Sequence, residues 1–187
     1  MKFPLALKLK TLYTICMIKI SKEKIVLAGG CFWGMQGLFD SKAGVVTSRV
    51  GYCGGESKTI DYEQVKTGAT GHAESIEIVY DSTQTSLRSI LGTFFQIHDP
   101  TTPNRQGNDL GSQYRSVIFY NNESQRVEAQ KAIFDANSTG LWGEPIVTEV
   151  VPFTFFVEAE NLHQKYLENN PTGYTCHFPR PEWVLPK

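Results

Sequence analysis

Cys31 stands in the stretch Leu27-Ala28-Gly29-Gly30-Cys31-Phe32-Trp33-Gly34, after two glycines and before two large aromatics. A thiol used only for packing does not need such neighbours. A glycine pair between a strand and a helix lets the backbone turn tightly. That turn would place Cys31 at the helix start, where free N–H groups and the macrodipole favour an anion. Such a setting lowers a thiol pKa and makes the sulfur a nucleophile. Phe32 and Trp33 can wall a space for a methyl or thioether group, because sulfur–aromatic contacts are favourable by about 0.3–1.5 kcal/mol. The competing reading is a buried structural cysteine among ordinary core aromatics.

The other cysteines are Cys16, Cys53 and Cys176, far apart, with no C-x-x-C pair and no zinc-finger spacing. Four cysteines in a chain of 187 residues do not make a disulfide scaffold, and they predict a reducing, cytoplasmic setting. His72-Ala73-Glu74 fits the H-x-E half of a zinc deaminase signature, but the P-C-x-x-C half is missing. No metal and no cofactor is therefore expected. A cysteine hydrolase would need a histidine base beside Cys31, with His98 and His163 as candidates. His98 ends a predicted helix, where a cation is favoured, and His163 sits on a predicted helix among polar neighbours. A peptide-binding module without turnover is a third reading.

The elements that must position Cys31 follow from apolar spacing. Glu23 to Ala28 reads as a strand, Phe32 to Lys42 as a helix, and Val45 to Cys53 as a β-branched strand. Residues 54 to 71 read as a loop with one helical turn, and Glu74 to Tyr80 as a strand. Asp81 or Ser82 can cap a helix carrying Leu87, Ile90, Leu91, Phe94 and Phe95 on one face. Residues 99 to 115 have no periodicity, and a loop of that length is functional or disordered. Ser116 to Tyr120 is a predicted strand, followed by a helix from Asn122 or Ser124 to about Asn137, with Val127, Ile133 and Phe134 on its buried side. Ile146 to Val157 reads as a strand with Pro152 at a bend or edge, and Glu158 to Glu168 as a helix. The fold class is α+β: helices on a sheet in a two-layer sandwich, a ferredoxin-like plait with long irregular loops. Residues 1–20 form an N-terminal extension, 21–168 the catalytic unit, and 169–187 an irregular, proline-rich tail.

Composition fits one domain, with 41% hydrophobic and 20% charged residues. A net charge of -1 gives no electrostatic reason to expect nucleic acid or an acidic membrane as partner. Residues 3 to 20 are fairly apolar, but Lys8, Lys10 and Lys19 interrupt them, and the charge-free run Thr11 to Ile18 is too short to span a bilayer. No A-x-A cleavage site follows it, and Met17 is a candidate true start.

Gly30-Cys31-Phe32-Trp33-Gly34 resembles the signature of the A-type peptide methionine sulfoxide reductases. Three further stretches agree in order and rough spacing: Asp61-Tyr62-Glu63-Gln64-Val65, Thr70-Gly71-His72-Ala73-Glu74, and His98-Asp99-Pro100 running through Asn104 to Asp109 and on to Gln113-Tyr114-Arg115-Ser116. The resemblance covers about residue 24 to residue 168. It implies an α/β two-layer sandwich and reduction of methionine S-sulfoxide, since each sulfoxide epimer has its own enzyme. It assigns Cys31 as the catalytic cysteine and Glu74 as the acid that protonates the sulfoxide oxygen. Tyr62 and Tyr114 match the tyrosines that hydrogen-bond that oxygen, Asp109 a supporting acid, and Phe32 with Trp33 the pocket for the substrate methyl. Implied partners are proteins carrying methionine sulfoxide, and thioredoxin as reductant.

The chemistry needs these residue types. A sulfoxide oxygen accepts hydrogen bonds well but leaves poorly unless it is protonated. Attack on the sulfur then requires a thiolate, a general acid and neutral donors along the S–O bond. A carboxyl serves as that acid near neutral pH only if burial raises its pKa. Attack leaves a sulfenic acid on Cys31, and a second thiol condenses with it to a disulfide. Cys16, Cys53 and Cys176 are the candidates. Cys176 is favoured because it lies in Gly173-Tyr174-Thr175-Cys176-His177, close to the family's glycine-tyrosine-cysteine context, with Thr175 intervening.

Overall fold

The structure is a computed structural model that describes residues 21–186. The extension 1–20, with Cys16 and Met17, lies outside the described residues.

The element order is β1 (Lys22–Gly29), α1 (Phe32–Asp40), β2 (Val45–Cys53), α2 (Tyr62–Lys66), β3 (Ala73–Asp81) and α3 (Leu87–Ile97). A small hairpin follows, β4 (Arg105–Gln106) and β5 (Asp109–Leu110), then β6 (Ser116–Tyr120), α4 (Glu123–Thr139), β7 (Glu149–Pro152), β8 (Phe156–Glu158) and α5 (Tyr166–Asn169). Six strands form one sheet in the order β7-β6-β1-β3-β2-β8. Every pairing in it is antiparallel except β6 with β7.

Side chains alternate across a strand, and this decides which layer each residue joins. Ile25 and Leu27 of β1, Ile76 and Ile78 of β3, and Ile118 of β6 share one buried cluster with Met35 and Phe39 of α1 and with α3 and α4. Their strand neighbours Val26, Ala28, Ala73, Val117 and Phe119 turn to the opposite face, which Phe153 and Phe156 cover. The protein is thus a mixed α/β sheet-and-helix fold, with its long helices on one side of the sheet. On β3 the same alternation places Glu74 with Ile76 on the helical side and Glu77 on the other.

Four elements depart from the expectation. The cap of α3 is Ser86, whose hydroxyl accepts from Ser89 N–H, rather than Asp81 or Ser82. Asp81 is spent on a turn, accepting from Thr83 and Gln84. In α4 the buried residues are Gln125, Ala129, Ala132 and Ala136. Small alanines let this helix approach α3 closely, so the larger Val127 and Phe134 face out, 52% and 70% exposed.

The single strand expected over 146–157 is two strands at opposite edges of the sheet, β7 beside β6 and β8 beside β2. Pro152 cannot donate to a further partner, and the chain leaves the edge there to cross beneath the sheet. The helix expected over 158–168 is a short 3-10 turn, Asn161–His163, and the brief α5. Gln164 interrupts it by bonding sideways to both the N–H and the C=O of Val50 on β2, at 3.0 and 2.9 Å. Lys165 then takes a left-handed φ of 53°.

The tail is irregular and pinned. Arg180 N–H donates to Gln96 O, and Leu185 is buried in the main core. Among the described residues no helix is long and apolar enough to cross a membrane.

Candidate active site

Gly29 ends β1 and Cys31 is the N-cap of α1, so the thiol does sit at a helix start. Between them Gly30 has φ +103°, a conformation L side chains rarely adopt. A Cβ at this position would lie 2.4 Å from Gln106 Cγ. Gln106 cannot yield easily, because its amide bonds to both the N–H and the C=O of Asp99 at 3.1 Å. Gly30→Ala is expected to lower stability by roughly 2–4 kcal/mol, combining the dihedral penalty with overpacking. Urea unfolding of the variant measures this, and a loss under 1 kcal/mol would mean the turn relaxes freely.

Cys31 is 6% exposed and opens on a cavity of about 130 Å³ lined by Cys31, Phe32, Trp33, Tyr62, Glu74, Asp109, Tyr114 and Tyr174. All seven residues predicted for the first reaction line this one cavity, and Tyr174 is an addition. Each is placed by a different element. Glu74 reaches the start of α1 from β3, where its Oε2 accepts Phe32 N–H at 3.1 Å.

Tyr62 begins α2, which Asp61 caps through a reciprocal box with Gln64. Its N–H is held by Glu160 Oε1 at 2.8 Å. Tyr114 ends a 3-10 turn that docks on the α2 loop, with Ser112 hydroxyl donating to Gly68 O and Gln113 to Lys66 O. Asp109 comes from β5. Its Oδ1 accepts from Tyr174 hydroxyl at 3.0 Å, and its Oδ2 is buried with no protein partner among the described residues.

The aromatic wall has its own support. Phe32 is buried against Val50, Tyr52 and Val65. Trp33 stacks on Tyr166 at 3.8 Å between centroids, and its Nε1–H donates to His163 Nδ1 at 3.1 Å. His163 Nε2 lies 3.7 Å from Glu160. Glu160 therefore backs both Tyr62 and, through His163, the indole.

Two glutamates on β3 show how burial sorts function from structure. Glu77 is also buried, which alone would raise it, but Arg49 and Lys24 pair with it and hold its carboxyl below the usual range. Among the described residues no cation acts on Glu74. Burial pushes it up to about 8, Phe32 N–H opposes this, and the charge of Asp109 adds to it. Burial thus favours the neutral, proton-carrying form of Glu74 at neutral pH.

Cys31 corrects the expectation of a resting thiolate. Burial, and then the negative charge of Glu74, push its thiol well above the ordinary range. The Trp33 N–H at the helix start pulls the other way and is outweighed. The helix terminus is present, but desolvation is the larger effect. Burial, and then Glu74, likewise keep the hydroxyls of Tyr62 and Tyr114 protonated.

The remaining thiols separate cleanly. Cys53 is fully buried on the sheet face away from α1, 0% exposed, and donates to Phe155 O at 3.1 Å. Cys176 lies beside the cavity, where burial, then a hydrogen bond to Asp109 and the charge of that carboxylate, raise its pKa to about 12 against the pull of the Cys31 N–H. His177 follows it, buried, with Nε2 2.8 Å from Gly29 O and Nδ1 3.4 Å from Cys176 Sγ.

Among the described residues the cysteine-hydrolase reading finds no histidine base at Cys31. His98 is not the helix-end cation expected. It is fully buried, its Nδ1 bonds Phe94 O and its Nε2 Ser116 Oγ, and burial pushes it down to about 3. His163 is not a surface residue either, and its Nδ1 already accepts from Trp33. His72 turns its Nε2 to Ser57 O at 3.0 Å. Among the described residues no cluster of three His, Cys, Asp or Glu is placed to hold a metal ion.

His163, Glu160, Tyr174 and His177 are the site residues that sequence reasoning missed or misread. Tyr174 and His177 carried a local signal, their positions in the stretch around Cys176.

Comparison with known proteins places this geometry in context. A family model described as peptide methionine sulfoxide reductase matches residues 23–183. The peptide methionine sulfoxide reductase MsrA of Mycolicibacterium gilvum is 58% identical over 165 residues, covering 88% of this chain and 95% of that one. The crystal structure of Mxr1 from Saccharomyces cerevisiae in reduced form superposes with a TM-score of 0.80 at 35% identity, covering 87% of this chain and 97% of that one. Mxr1 in complex with Trx2 matches at 26% identity and a TM-score of 0.58, covering 88% and 96%.

Proposed function

The chain belongs to the peptide methionine sulfoxide reductase family, and from that premise we propose the residue roles by which it reduces methionine sulfoxide. The observation that carries the reading is the single small cavity onto which Cys31, Glu74, Tyr62, Tyr114 and Asp109 converge beside Phe32 and Trp33. The substrate methyl rests against the Phe32–Trp33 wall. Glu74, neutral below about pH 8, and the phenols of Tyr62 and Tyr114 donate to the sulfoxide oxygen. The orphaned Oδ2 of Asp109 is free to accept an N–H of the substrate backbone.

Cys31 attacks the methionine sulfur as Glu74 passes its proton to the sulfoxide oxygen, and the thiol proton replaces it on Glu74. The resulting hydroxyl then passes from the methionine sulfur to the Cys31 sulfur as the transient S–S bond breaks and methionine is released. Methionine sulfur gains two electrons, and Cys31 loses two and becomes a sulfenic acid. Cys176 then attacks the sulfenic sulfur, expelling water and forming a Cys31–Cys176 disulfide. The complex of Mxr1 with Trx2, a thioredoxin, supports thioredoxin as the dithiol that reduces it.

The decisive assay is turnover of separated S- and R-sulfoxide peptides with dithiothreitol. S-sulfoxide alone should be consumed, and equal use of both epimers would overturn the stereochemical assignment. Cys176→Ser should release about one methionine per enzyme and lose turnover with thioredoxin. Undiminished steady-state rates with thioredoxin would remove Cys176 from the cycle and point to direct reduction of Cys31.

The same reading takes residues 21–168 as the catalytic unit and 169–187 as the tail that brings the recycling thiol. A reducing compartment such as the cytoplasm suits a cycle that begins and ends with free thiols. The strand order β6-β1-β3-β2, with α1 and α3 on one face, supports a ferredoxin-like plait at the centre, extended by β7 and β8.

A further inference from the structure

The thiol that closes the cycle is itself buried and raised to about 12, so something must take its proton. The residue that follows it is placed to do so. A carbonyl oxygen only accepts, so the 2.8 Å contact with Gly29 O fixes the hydrogen of His177 on Nε2. In the neutral ring Nδ1 is then a bare acceptor, and it faces Cys176 Sγ at 3.4 Å. His177 is 5% exposed, and burial pushes it down to about 4, so the ring is neutral at working pH.

We propose that His177 directs recycling: its Nδ1 accepts the Cys176 S–H, orients that sulfur toward Cys31, and takes the proton as the new S–S bond forms. This rests on the reading of Cys176 as the recycling thiol. The step balances. The Cys176 sulfur bonds to the Cys31 sulfur, the S–O bond of the sulfenic acid breaks, and the proton leaving Cys176 passes through His177 to the departing hydroxyl, giving water. The buried ring is too weak a base to hold the proton, so the transfer is concerted: the proton moves on to the departing hydroxyl in the same step as the S–S bond forms.

Other groups face the Cys176 thiol: Asp109 from β5, Cys31 at the start of α1, and Tyr174 and Arg180 from the tail. Asp109 is the rival acceptor. Its hydrogen bond to the Cys176 thiol and its negative charge both oppose ionisation of Cys176, whereas a neutral imidazole adds no such charge penalty.

Two variants separate orientation from structure. His177→Gln keeps a donor for Gly29 O but has no acceptor at the Nδ1 position. His177→Asn keeps a polar atom near Nδ1. Rapid-quench alkylation and mass spectrometry on the full chain would follow methionine release and formation of the Cys31–Cys176 disulfide separately.

The disulfide step in His177→Gln should slow at least tenfold more than methionine release, with a dimedone-trappable sulfenic acid accumulating. Its residual rate should climb with pH as hydroxide replaces the ring, more steeply than in the wild type. His177→Asn should recover part of the loss. An unchanged ratio of the two steps in His177→Gln overturns the proposal, as does an equal slowing of both steps in both variants. A disulfide step slowed by Asp109→Asn but not by His177→Gln gives the role to Asp109. Full recycling by Cys176→Ser would instead defeat the underlying reading, which is a distinct result.

Discussion

Cys31→Ser should form no methionine from a sulfoxide peptide, a loss of at least roughly 10⁴-fold, as expected when a nucleophile is removed outright. The reason lies in the product as much as in the attack. Oxygen transferred to a thiol gives a sulfenic acid, a populated rung of the oxidation ladder. Oxygen transferred to a serine hydroxyl would give a peroxide, which no group in the cavity stabilises. Serine is slightly smaller than cysteine, and Cys31 makes no side-chain bond to the helix it caps, so the fold should tolerate the change. Methionine release measured by chromatography with excess dithiothreitol tests this. Activity above about one per cent of wild type would mean that another thiol enters the cavity, and combining the change with Cys176→Ser would identify it.

Glu74→Gln should slow single-turnover methionine formation by about 10²–10⁴-fold, the range for loss of a general acid. The amide can still accept Phe32 N–H, so the site keeps its shape while losing a transferable proton. In the wild type the rate should fall as pH rises through about 8, because burial, partly offset by Phe32 N–H, sets the Glu74 pKa there and only the neutral acid can donate. The variant should lose that limb. Full rates across pH in Glu74→Gln would remove the residue from proton transfer.

The same substitution should raise stability. Unfolded, this carboxyl ionises near 4.5; folded, near 8, because burial disfavours the charge. Between those values the unfolded chain binds fewer protons than the folded one, so wild-type stability drops as pH rises across the interval. The urea midpoint of Glu74→Gln should therefore exceed that of the wild type at pH 8, with the gap shrinking toward pH 4.5. A variant weaker than wild type at both pH values would contradict the burial argument.

Much of the site was legible because its residues travel in local motifs. The Gly29-Gly30 turn, the Cys31 cap and the aromatic pair are neighbours in the chain, and β1 and β2 were recoverable from apolar spacing. The misreadings share one cause, tertiary contacts overriding local pattern. The exposed side of α4 looked buried because Val127 and Phe134 are larger than the alanines that face α3. The stretch 146–157 looked like one strand because β-propensity says nothing about which edge of the sheet it joins. His98 and His163 looked like surface groups, yet their partners Ser116 and Trp33 lie 18 and 130 residues away. The resting state of Cys31 was misjudged because helix-start placement is visible in sequence and desolvation is not.

The cavity at the thiol, about 130 Å³, has room for the end of one side chain and little more. A damaged methionine locked inside a client protein cannot reach it while that client stays shut. For such residues the client's own breathing sets how often repair is possible, since local opening spans from almost no free energy at loop tips to the full unfolding cost in a core. Sulfoxides on loops and fraying ends should be mended first, and those in rigid interiors should persist until their host loosens.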